Sequence, residues 1–145
     1  MTSTAKQEAE VLMNDLLPLA KRLLAEFGEF HPFGGFISSE GEIVHAGAST
    51  GEEFPRGQEL VELLESSLRK DARAGKIRCA AVVANVTVRR PGTGDKVDAI
   101  EFRLDHSAGY SAHVYFPYKL LDAGPALEPP FATRARAFAF GPDVD

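Results

Sequence analysis

"IRCAAVVANVTVR", residues 77–89, is the stretch on which the fold turns. Val82, Ala84, Val86 and Val88 alternate with Val83, Asn85 and Thr87, the two-residue period of a strand with one buried and one polar face. "RRPGTGDK" then offers a turn, and "VDAIEFRLDH" (97–106) sets Ile100, Phe102 and Leu104 against Glu101, Arg103 and Asp105. After "SAG", "YSAHVYFPY" (110–118) sets Tyr110, Ala112, Val114 and Phe116 against Ser111, His113 and Tyr115. Three antiparallel strands are predicted.

Upstream, Leu12, Leu16, Leu19, Leu23 and Phe27 recur at helical spacing over 5–27, with Gly28 as a stop. Pro18 implies a kink, or a second helix that begins near Asp15. "FHPFGGFISSEGEIVHAG" (30–47) reads as a helix-to-hairpin entry, with strands at 33–38 and 42–47 and a turn at "SEG". Pro32 holds His31 extended, Gly34 and Gly35 suit a bulge or a close backbone contact, and Phe30, Phe33 and Phe36 fill the space under the helix. Residues 56–74 form a second helix with Leu60, Leu63, Leu64 and Leu68 on its apolar side and Pro55 at its start.

These elements predict an α+β domain over 1–120: a five-stranded antiparallel sheet, two helices on one face, order α-β-β-α-β-β-β. Residues 121–145 form a Pro- and Ala-rich segment in which "RARAFAF" suits an edge strand and "GPDVD" a frayed end. The element order over 5–118 resembles that of the roadblock and profilin-like domains. "FHPFG" is similar to the Phe-x-Pro-Phe-Gly segment that follows the first helix in a group of small bacterial proteins. Neither resemblance implies a role for any particular residue.

The 145-residue chain has 44% hydrophobic and 26% charged residues, as a soluble globular domain does. Its net charge of −5 argues against nucleic acid and against an anionic membrane surface as partners. The start lacks the basic and apolar regions of a secretion signal, so a cytoplasmic protein is the default. The single cysteine, Cys79, excludes an internal disulfide and suits a small core residue.

Several residues carry chemistry in principle. His31, His45 and His113 would make a metal site only by converging from separate elements; scattered histidines are the simpler reading. Ser111, His113 and Asp105 supply the residue types of a hydrolytic triad, yet neighbours on a flat strand seldom give a nucleophile–base bond. "PGTGDK" lacks phosphate-loop spacing and reads as a hairpin turn. Asn85, Thr87, Arg89, Glu101, Arg103, Asp105, Ser111, His113 and Tyr115 are expected to share one uncovered polar sheet face.

That face points first to a non-enzymatic module that binds a protein partner, either another protein (an immunity- or inhibitor-like role against a basic toxin is one form) or a second copy in a homodimer. The ligand or partner surface would comprise Arg103, His113, Tyr115, Glu101, His31 and His45. No cofactor is implied. The alternative is a small-ligand binder or hydrolase-type enzyme with a pocket between the 31–47 hairpin and the 110–118 strand.

Overall fold

A computed structural model describes residues 4–47 and 57–141. The elements run α1 (Ala5–Phe27), β1 (Phe33–Ser38), β2 (Ile43–Ala46), α2 (Gly57–Arg73), β3 (Ile77–Arg89), β4 (Lys96–His106), β5 (Ser111–Leu121), β6 (Gly124–Leu127) and β7 (Phe131–Arg134). The class is α+β with two helices and an antiparallel sheet, but among the described residues the sheet has seven strands rather than five. Strand order is β2-β1-β3-β4-β5-β6, and β7 also pairs with β5.

The two additional strands arise from the Pro- and Ala-rich segment. β7 ends at Arg134, where "RARAFAF" begins, so that alternation is not a strand. Its Phe138, Ala139 and Phe140 pack instead against the α2 side of the sheet. Pro55, expected at the start of the second helix, and residues 142–145 of the expected frayed end lie outside the described residues.

Local chemistry explains α1 well. The Thr4 hydroxyl accepts the Gln7 N–H at 3.1 Å while Gln7 Oε1 accepts the Thr4 N–H at 2.8 Å, a reciprocal cap. Gly28, at φ 74, closes the other end. Pro18 does not divide the helix. It lies on the exposed side, so the Asn14 carbonyl it leaves unpaired faces water.

The two helices lie on opposite faces of the sheet, not on one. Cys79, Ala81 and Val83 of β3 pack with Leu12, Leu16 and Leu24 of α1. Ala80, Val82 and Ala84 pack with Val61, Leu64 and Leu68 of α2. A strand's side chains alternate, so β3 is a central strand buried on both faces. The same parity divides the phenylalanines: Phe30 and Phe33 join the α1 core, whereas Phe36 packs on the α2 side. Leu63, expected in the core, is 41% exposed and Val61 takes its place.

Gly34 and Gly35 permit this sandwich. A Cβ on Gly34 would stand 2.6 Å from the Ala81 carbonyl oxygen, and one on Gly35 would stand 3.0 Å from Leu16 Cδ2. They mark close approach. The register shift between β1 and β3 comes later, between Ile37 and Ser38.

One polar cluster ties the start of α1 to the sheet. Glu8 Oε1 lies 2.7 Å from His106 Nε2, and Glu8 Oε2 accepts from Arg78 Nη2 at 2.8 Å. His106 Nδ1 accepts the Ala108 N–H at 3.0 Å, so Nε2 carries the ring proton and donates to Glu8. The His106 hydrogen bond, aided by the Arg78 charge and opposed by burial, holds the Glu8 carboxyl below the usual glutamate range. A depressed carboxyl pKa stabilises the fold above the ordinary glutamate range, and that stability is lost as pH falls through the folded value. Glu8→Gln is therefore expected to cost about 1–3 kcal/mol at neutral pH. In urea denaturation at about pH 7 and about pH 3, the deficit should shrink at the lower pH.

Candidate functional site

The hairpin registers decide which polar residues meet. β3 pairs with β4 so that Asn85 opposes Ile100 and Ala84 opposes Glu101. Directly opposed residues share a face. Asn85, Thr87 and Arg89 therefore lie on the α1 face, away from Glu101, Arg103 and Asp105, and the single polar face expected from the sequence is divided between the two sides. Asn85 Oδ1 accepts the Tyr118 hydroxyl at 2.7 Å there.

Glu101, Arg103, Asp105, Ser111, His113 and Tyr115 do share the α2 face, in the pairs Glu101–Tyr115, Arg103–His113 and Asp105–Ser111. That face is not left open. α2 covers part of it, and residues 138–140 cover another part through Asp105.

Asp105 is 1% exposed. Its Oδ1 accepts the Ser111 hydroxyl at 2.6 Å, and its Oδ2 accepts the N–H groups of Ala139 and Phe140 at 2.8 and 3.0 Å. The carboxylate thus serves as an anchor for the C-terminal segment. Ser111 donates to it directly, while His113 Nδ1 lies 3.4 Å from the Tyr115 hydroxyl. The three residues do not form the relay of a hydrolytic triad, in which the imidazole stands between acid and nucleophile.

Beside this anchor is a charged row. Arg103 donates from Nε to Glu101 Oε1 at 2.8 Å and from Nη1 to Glu65 Oε1 of α2 at 3.1 Å. Burial pushes the Glu65 carboxyl upward against the pull of Arg103. Burial also lowers the His113 imidazole, opposed by the Glu101 charge and aided by that of Arg103. Burial and the Glu101 charge push the Tyr115 phenol up to about 12. Tyr115 stacks on Phe131 of β7, ring centres 5.1 Å apart.

His31 and His45 do not join His113. His45 Nε2 lies 2.8 Å from Asp15 Oδ2 of α1. His31 lines a cleft that Glu101 and Arg103 line as well. The three histidines are not brought together, and among the described residues no group of three or more His, Cys, Asp or Glu side chains is arranged to hold a metal ion. Cys79 is fully buried, and burial, reinforced by Glu8 and Asp105, pushes its thiol up to about 12. "PGTGDK" closes the β3–β4 hairpin with Gly92 and Gly94 at positive φ.

The cleft has a volume of about 860 Å³ and straddles the sheet edge beside β3. Its α1 side presents Leu19, Leu23, Phe27 and Phe30; its α2 side presents Val61, Val86, Glu101 and Arg103. None of residues 110–118 lines it. It exists because β1 stops short. The β1–β3 ladder ends at Phe33–Val83. The chain at 29–32 diverges, leaving Ala84, Asn85 and Val86 between the walls.

Which backbone groups face this gap follows from one bond. Ser107 N donates to the Arg78 carbonyl at 3.0 Å, on the β4 side. Pairing with β4 then runs without a shift through Arg89. Backbone groups alternate in direction along an antiparallel strand, so Asn85, Thr87 and Arg89 turn their N–H and C=O groups away from β4. Among the described residues, no backbone bond satisfies them on that side. The apolar residues of α1 gave no hint of this edge.

No family model, no curated protein and no solved structure matches this chain.

The Asp105 anchor generates a prediction. Asp105→Ala orphans one hydroxyl and two amides and is expected to cost at least about 3 kcal/mol. Urea denaturation checks the loss, and hydrogen exchange should show the Ala139 and Phe140 amides exchanging faster than in the natural chain.

Proposed function

We propose that the chain is a non-enzymatic binding module that takes up an extended segment of a partner protein along residues 84–89 of β3. The observation that carries this reading is the strand edge itself: among the described residues the main-chain groups of Asn85, Thr87 and Arg89 stand unpaired, and Asn85 lies at the floor of a largely apolar cleft. Strand addition draws affinity from such main-chain groups and specificity from pockets on alternate sides. Phe27, 69% exposed on the α1 wall, is a large ring placed where an incoming side chain would cover it.

The recess favours a lone segment over a second copy. A second sheet edge would bring its own flanking walls, whereas a single extended chain fits between Phe30 and Val61. The immunity- or inhibitor-like role is one form of this function. Glu101 and Arg103 belong to the surface on this reading, and His31 borders it.

A second reading is favoured by the volume of the cleft, which lies within the range of small-molecule sites. An apolar small ligand would use the same walls without the strand bonds.

Thr87→Pro separates the two. The Thr87 N–H faces away from β4, so proline removes an edge donor while sparing the β3–β4 ladder. Peptides selected from a displayed library of short random sequences are expected to protect the Asn85, Thr87 and Arg89 amides from exchange and to lose binding to Thr87→Pro, whose circular dichroism remains that of the natural chain. Selected peptides that bind Thr87→Pro equally well would overturn the strand reading.

A further inference from the structure

We infer that the segment received by β3 alternates apolar and basic side chains, its apolar residues against α1 and its basic ones toward Glu101. The inference rests on the strand-addition reading and specifies its partner.

An added strand sends successive side chains to opposite faces of the sheet. On one face they meet the apolar side chains of Leu19, Leu23, Phe27 and Phe30, with Arg89 beyond the cleft at the far end of the edge. On the other they meet Val61, Val86, Glu101 and Arg103. The two faces call for different chemistry, and the period-two pattern of an extended segment supplies it.

The sign of the polar positions follows from a charge count. Arg103 is the one Lys or Arg among the described residues lining the cleft, and its guanidinium is already bonded to Glu101 and Glu65. Glu29 adds another carboxylate at the rim. Two carboxylates on one guanidinium, with Glu101 only 5% exposed, leave surplus negative charge in a poorly solvated place. On the Glu101 side an incoming carboxylate would find, among the described residues, no cation free of carboxylates and would be repelled; a Lys or Arg there would offset the surplus. The net charge of −5 steers approach in the same sense. Residues 84–89 accommodate about six residues of extended chain, at roughly 3.3 Å each.

Three acetylated and amidated heptapeptides test this, alternating Leu with Lys, Leu with Glu, and Leu with Ser. Each is titrated into the full chain and followed by amide shifts at Asn85, Thr87 and Arg89. The Lys peptide is expected to bind at least about tenfold tighter than the Glu peptide, with the Ser peptide between them. Glu101→Gln should narrow the Lys-to-Glu ratio, and Phe27→Ser should weaken all three alike. Equal binding of the three, with the edge amides shifting, overturns the charge inference and leaves strand addition standing. Failure of every peptide to shift the edge amides overturns both.

Discussion

A strand buried on both faces makes a demand on everything around it. β3 must carry small or branched apolar residues at every position from Cys79 to Ala84, because α1 presses on one parity and α2 on the other. Its neighbours must then yield space. Gly34 does so toward the Ala81 carbonyl and Gly35 toward Leu16, so β1 can lie flat between the helices. Both helices are held by that one strand more than by each other. A disturbance at β3 reaches every layer of the molecule.

The same strand changes character along its length. Up to Val83 it is interior; beyond, it loses β1 and among the described residues becomes an edge. Natural proteins usually blunt such an edge with charge, proline or a covering element. Here, walls from α1 and α2 rise beside it, shielding residues 84–86 while leaving room for something narrow. The cleft and the doubly buried core are thus two outcomes of the different lengths of β1 and β3.

Much of this was legible in the sequence, and the gaps have physical causes. Element order was readable as far as β5 because strands and helices differ in period. The continuous run "CAAVVA" was the signal for burial on both faces, but a two-residue alternation could be imposed on it by starting at Val82. Which residues oppose one another depends on the length of the β3–β4 connection, and a change of one residue there exchanges the faces. That is why the alternation places Asn85, Thr87 and Arg89 with Glu101 although the fold separates them. The four residues Glu101, Arg103, His113 and Tyr115 do meet, because the short "SAG" turn fixed their register. In "RARAFAF", alternation reflects a segment laid on the core with Ala139 buried, not a strand.

Asp105 closes a long loop. Its amide donors, Ala139 and Phe140, follow it by 34 and 35 residues. When that segment lifts from the sheet, the carboxylate keeps Ser111 and water for partners, and the apolar surface that Phe138, Ala139 and Phe140 cover stands bare. The sheet then stays packed on the α1 side, so local opening of residues 138–140 exposes the core on one face alone.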